Sequence, residues 1–145
     1  MLLPFLLFFG SFFPTAEVPA TGLQLIFELE EASERGTLRV AIFASEADFK
    51  EDQATYSNNQ SVNGPGDIRM SFPNISSGTY AVAAFYDRND NQKLDRNLFG
   101  VPTEAYGFIN EPASKWRAPR WDEISTKIED EELELRIVLK KWSAR

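Results

Sequence analysis

The chain has no cysteine and no histidine in its 145 residues. The first absence excludes disulfides and every thiol-based mechanism, so the fold must rest on its apolar core, with a metal as the remaining kind of staple. The second excludes Ser-His-Asp and Cys-His catalysis and removes the usual zinc ligands. It also removes the commonest general base near neutral pH. An enzyme built from this sequence would have to work with carboxylates, lysine or tyrosine. Positive charge is in deficit too: 15 basic against 22 acidic residues give a net charge of −7, which favours solubility and argues against nucleic acid as a partner. Long helical patterns, internal repeats and low-complexity tracts are also missing.

The uncharged apolar run over residues 1–13 is too short to span a bilayer comfortably. Small residues follow at Ala16 and Ala20, and Val18 and Ala20 suit cleavage before Thr21, so residues 1–20 read as a secretory signal peptide. No Lys or Arg precedes the run, which leaves the amino terminus as its only positive charge. An uncleaved anchor and a buried strand are the competing readings, and an uncleaved leader would be the chain's one contact with a membrane. Export places the protein in the periplasm, in the cell envelope or outside the cell. Residues 21–145 then form one β-sandwich domain, long enough for a real core and hard to divide into two. Without Glu17, the single charge of the leader, its net charge is −6.

Alternation of period two marks strands. Leu23, Leu25, Phe27 and Leu29 share one face, as do Leu38, Val40, Ile42 and Ala44, then Ile68, Met70 and Phe72, and finally Leu133, Leu135, Ile137 and Leu139. Residues 80–86 are apolar on both faces, which suits a central strand covered on each side. Shorter candidates lie at Tyr106–Ile109 and Thr126–Ile128. Turn signals stand between the runs: Glu34-Arg-Gly36, Asn63-Gly-Pro-Gly66, Ser76-Ser-Gly78 and the acidic Glu129-Asp-Glu-Glu132. Residues 46–66 and 110–122 read as longer connections, the first with one helical turn around Glu46–Glu51. The pattern predicts an all-β fold of about seven strands: an antiparallel two-sheet sandwich, immunoglobulin-like or transthyretin-like.

The run Asp87-Arg-Asn-Asp-Asn-Gln-Lys-Leu-Asp95 follows the buried strand at once. It sets oxygen-bearing side chains at positions 1, 3, 5 and 9, which is calcium-loop spacing. Asp87, Asn89, Asn91 and Asp95 would be side-chain ligands and Lys93 a carbonyl donor. Gln92 stands at the sixth position, where Gly would enter the left-handed conformation freely; a residue with a Cβ pays roughly 1 kcal/mol there. Leu98 replaces the bidentate Glu at position twelve. Arg88, Lys93 and Arg96 offset the loop's carboxylates, so any calcium site would be weak. The alternative is a metal-free loop whose Asp and Asn side chains bond nearby amides.

The segment Gly100-Val-Pro-Thr-Glu-Ala-Tyr-Gly-Phe-Ile-Asn110 adds a carboxylate and two aromatics. Glu104 would complete the site from outside the loop, or pair with Asp122 or Glu123 as acid and base in a hydrolase acting on glycans. Glu104, Tyr106, Phe108, Asn110 and Trp121 are the candidate ligand-binding residues. Trp116, Trp121 and Trp142 stand beside Lys115, Arg117 and Arg120. Exposed, they would stack on sugars; by default they close the ends of the sandwich. Asn59-Gln-Ser61 and Asn74-Ile-Ser76 match glycosylation acceptors, which matter only in a eukaryotic secretory route.

The order of these motifs, from Ser77-Gly-Thr-Tyr80 through Asp87–Asp95, Gly100-Val-Pro102 and Glu104–Asn110 to Ala118-Pro-Arg-Trp-Asp-Glu123, resembles the bacterial domain-of-unknown-function family 2141. The resemblance implies a small exported bacterial β-sandwich and names no activity. It also implies Gly where this chain has Gln92 and Ser where it has Ile109. The reading of the whole is a non-catalytic exported module, its loop ordering residues 104–110 for binding a protein or glycan, with calcium as a structural cofactor. A purely structural envelope component is the third expectation.

Overall fold

A computed structural model describes residues 22–30, 35–129 and 132–143. The expected leader lies outside the described residues, as do Glu34 of the first turn signal and residues 130–131 of the acidic one. Eight strands and two short helices follow one another: β1 (Leu23–Leu29), β2 (Gly36–Phe43), α1 (Glu46–Lys50), β3 (Tyr56–Val62), β4 (Asp67–Phe72), β5 (Gly78–Asp87), β6 (Tyr106–Phe108), α2 (Trp121–Ile124), β7 (Ser125–Ile128) and β8 (Leu133–Leu139). They make two sheets. One has the order β4-β1-β8; the other has the order β3-β2-β5-β6, with β7 also pairing β5.

The alternating residues meet between the sheets. Leu23, Leu25 and Phe27 of β1 pack with Leu38, Val40 and Ile42 of β2, with Val82, Ala84 and Tyr86 of β5, and with Ile137 and Leu139 of β8. Each such side chain taken fully from water contributes roughly 1.5–3 kcal/mol before entropy is counted. β5 is central as expected, with β2 along one edge and β6 and β7 sharing the other, but it is not covered on each side: on its outer face Ala83 and Phe85 are only half-buried.

Two features differ from the sequence-based expectation. β1 and β8 run parallel, Leu23 opposite Leu133 through Leu29 opposite Leu139, so the sandwich is predominantly but not wholly antiparallel. Alternation specifies which face is buried and carries no information on direction. The other is β3, an eighth strand inside the expected connection 46–66. Residues 57–61 are exposed on both faces, so no apolar alternation marked it. It is held by its ladder to β2, Gly36 opposite Val62 through Ile42 opposite Tyr56. The helical turn expected near Glu46–Glu51 is α1, capped by Ser45, whose side chain accepts from the Asp48 amide.

Candidate functional site

Asp87 is the last residue of β5, and no part of its side chain reaches solvent. A buried carboxylate needs partners, and three groups supply them. Arg39 of β2 donates from Nε at 2.6 Å, and the amides of Gln92 and Asn91 donate at 2.8 and 3.2 Å. The other arm of Arg39 reaches Asp90 at 2.5 Å, and Thr37 adds a hydroxyl at 3.2 Å to the same oxygen. Burial alone would raise the Asp87 pKa; the Arg39 guanidinium and the two amides outweigh it and hold the carboxyl below its usual range.

The rest of the loop turns inward as its Asx residues favour. Asn89 and Asn91 accept from the amides of Asn91 and Lys93, and both donate their side-chain amides to Asp95, at 2.6 and 2.7 Å. Positions 1, 3, 5 and 9 of the expected calcium loop therefore face the loop interior, while Lys93 is exposed. Gln92 takes the left-handed conformation with φ 67°, the one that Gly would adopt without strain. Among the described residues no three Asp or Glu side chains converge as a metal cluster; the loop's inward oxygens are shared between Asp and Asn.

Glu104 is buried, 2% exposed, and ties the two ends of the loop together. Its oxygens accept from the Arg88 amide at 2.9 Å and the Asp95 amide at 3.1 Å. Both face backbone inside the protein. Glu123 serves another place: its carboxylate grips Arg117 and the Arg120 amide, which lower its pKa to about 2. Glu104 stands beside the end of β5, whereas α2 leads into β7 opposite Ala81. At about 3.3 Å per residue along β5 these places are on the order of 15–20 Å apart. Asp122 is solvent-exposed. Among the described residues, Glu104 is thus set apart from Asp122 and Glu123 rather than across one bond from them.

Tyr106, Phe108 and Trp121 do come to one surface, the outer face of the five-stranded sheet. Gly107 points inward, where an added Cβ would stand 2.5 Å from the Val138 carbonyl of β8, so its neighbours Tyr106 and Phe108 point out. Strand register then lays out rows across the sheet. Ser57, Ala41, Ala83 and Phe108 form one row, and Asn59, Arg39, Phe85 and Tyr106 the next. On the opposite side Phe43 carries Phe49 of α1 at 5.3 Å edge-on, and Phe49 meets Trp121 of α2 at 6.5 Å. Small residues therefore floor a shallow trough between two aromatic banks. Asn110 borders it, its side-chain amide bound to the Ser125 carbonyl. Ala41, Ala83, Phe85, Tyr106, Phe108 and Trp121 are all half-buried, which leaves part of each open to a ligand.

Sequence reasoning missed Arg39, Phe85 and the alanine floor. Arg39 sits at an outward position of an amphipathic strand, where a charge ordinarily means solvent. Phe85 was hidden in a strand apolar on both faces. Trp116 departs from the default for tryptophan: it is 75% exposed, its ring resting edge-on against Trp142.

Neither a curated protein nor a solved structure matches the chain. A family model does, over residues 30–136, which include the loop, the trough and the whole five-stranded sheet but not β1. The chain therefore belongs to the DUF2141 family, described as uncharacterized protein conserved in bacteria.

Proposed function

We propose that the protein is a non-catalytic exported module that binds a protein or glycan at the cell envelope through the outer face of its five-stranded sheet. The trough carries this reading. Aromatic rings flank a floor of small residues, and Ser57 and Asn59 supply polar groups at its side. Sugars and peptides are both recognised by such pairings of flat apolar surface with a few placed polar groups. Titration with N-acetylglucosamine oligosaccharides and sedimentation with purified cell-wall sacculi test the glycan arm. Tyr106→Ala with Phe108→Ala should weaken binding at least about tenfold, the loss expected when two ring contacts are removed. Binding that survives this double change places the partner elsewhere.

Calcium in the Asp87–Asp95 loop is the second reading, favoured by the left-handed Gln92 and by the inward side chains at positions 1, 3, 5 and 9. The Arg39 guanidinium on Asp87 opposes a cation there, so the site would be weak. At about ten times a dissociation constant of 10⁻⁴–10⁻³ M, binding to the folded state adds about 1.4 kcal/mol. A calcium series should then raise Tm by a few degrees where magnesium does not, and Asp95→Asn should abolish the rise. A flat Tm up to about 5 mM calcium removes the metal from this reading.

A further inference from the structure

The described residues expose three large apolar side chains: Leu98 at 101%, Phe99 at 90% and Trp116 at 75%. They lie towards one end of the sandwich. Leu98 and Phe99 form the apex of the β5–β6 connection. Trp116 rests on Trp142, two residues beyond Lys140, which bridges to Tyr106 in the same region.

The apex is a built object. Arg96 and Pro102 form a bridge below it, and the Thr103 amide donates to the Asp95 carbonyl at 2.8 Å. The Asn97 amide donates to the Val101 carbonyl, and the Gly100 amide donates back to the Asn97 carbonyl, both at 2.9 Å. The Asn97 side chain accepts from the amides of Phe99 and Val101 at 2.9 and 3.1 Å. Gly100 takes φ +77°, which closes the turn at no Cβ cost. The result is a fixed turn holding two apolar side chains fully in water.

The charges around it are of one available sign. Among the described residues Arg88, Lys93 and Arg96 have no carboxylate within ion-pair distance, and all are exposed. The neighbouring carboxylates are already taken, Asp90 by Arg39 and Asp95 by the side-chain amides of Asn89 and Asn91. Arg96 stands at the apex itself, donating to the Gly100 carbonyl at 2.9 Å.

We propose that this end of the molecule docks on an anionic phospholipid surface, with Leu98 and Phe99 entering the boundary between headgroups and acyl chains. A convex tip of two side chains is far short of the roughly 800 Å² per partner of a stable protein interface, whereas a bilayer needs no complementary shape. Cations near the tip match the anionic headgroups, and a tryptophan nearby suits the interfacial zone. The net charge of −7 does not forbid this: charges farther than a Debye length of about 10 Å at 0.1 M salt are largely screened. The surface is separate from the trough and does not depend on it.

Since the chain has no cysteine, Leu98→Cys gives a unique site for a polarity-sensitive fluorophore that reads the apex whatever the leader does. Vesicles of phosphatidylglycerol with phosphatidylethanolamine should shift its emission to the blue, and added salt should weaken the response. Phosphatidylcholine vesicles should give little change, and the same dye at Asn58→Cys on the exposed edge strand β3 should give none. Arg88→Gln with Lys93→Gln should raise the lipid concentration for half-maximal response about threefold or more, the scale of screened surface charges. Leu98→Ser with Phe99→Ser, which leaves the Asn97 side chain and its turn in place, should lower vesicle co-sedimentation without lowering Tm. No shift at millimolar phosphatidylglycerol overturns the proposal. So does a shift that appears without vesicles and grows with protein concentration, which would seat the apex on a second copy.

Discussion

Asp87→Ala should lower the unfolding free energy by about 3–5 kcal/mol, the usual loss when one partner of a buried ion pair is removed. The change leaves Arg39, only 14% exposed, without its inner partner, and deprives the Gln92 and Asn91 amides of their acceptor. Denaturant titration measures the loss. Removing Arg39 as well should recover part of it, because the stranded guanidinium then disappears; strictly additive losses would show that the pair is not coupled. The same carboxyl sets a pH dependence. Its folded pKa is depressed, so its contribution is present above the unfolded value near 3.9 and is lost as pH falls through the lower folded value. Stability should therefore decline from about pH 5 downward, and Asp87→Asn should flatten that decline. An unchanged acid limb in the variant would assign it to other carboxylates.

Gly107→Ala should cost about 3 kcal/mol, at the upper end of overpacking penalties. The added methyl would stand 2.5 Å from the Val138 carbonyl and 3.2 Å from the Ile137 side chain, where backbone and a core residue must both give way. Without that contact a Gly→Ala change in a strand would stabilise by about 0.4–1 kcal/mol through the unfolded chain, so the sign itself is diagnostic. β6 has three residues and lies between β5 and the end of β8. Relief by moving β6 outward would shift Tyr106 and Phe108 together, and ligand affinity should fall with stability. A neutral or stabilising result would mean that β6 and β8 have room between them.

The sandwich was legible because its inward residues alternate with few exceptions: Leu23, Leu25 and Phe27, or Ile68, Met70 and Phe72, name their buried face outright. β3 was not legible, because a strand over Tyr56–Val62 that buries almost nothing differs from a polar loop only in the partner it bonds to. The parallel alignment of β1 with β8 was hidden for a related reason, since direction is a property of the pair. At the candidate site, Asp87 and the Asx turns followed from residue type and spacing. The role of Glu104 as a tie between Arg88 and Asp95 required two distant backbone amides to meet, and no local pattern encodes that. The trough is likewise a product of register: Ala41 and Ala83 are opposite one another only once β2 and β5 are aligned.

The pairing of β1 with β8 also governs the order of events when the chain folds. β1 is the middle strand of its sheet, with β4 on one side and β8 on the other. Its partner at Leu133 is 110 residues beyond Leu23, so one side of the central strand stays open until almost the whole chain has been delivered. Loop closure over such a span is entropically slow, and pairings of this kind place a protein among the slower folders of its size. A nascent chain would thus remain unlocked until residues 133–139 arrive, with Leu23, Leu25 and Phe27 open to whatever holds it meanwhile.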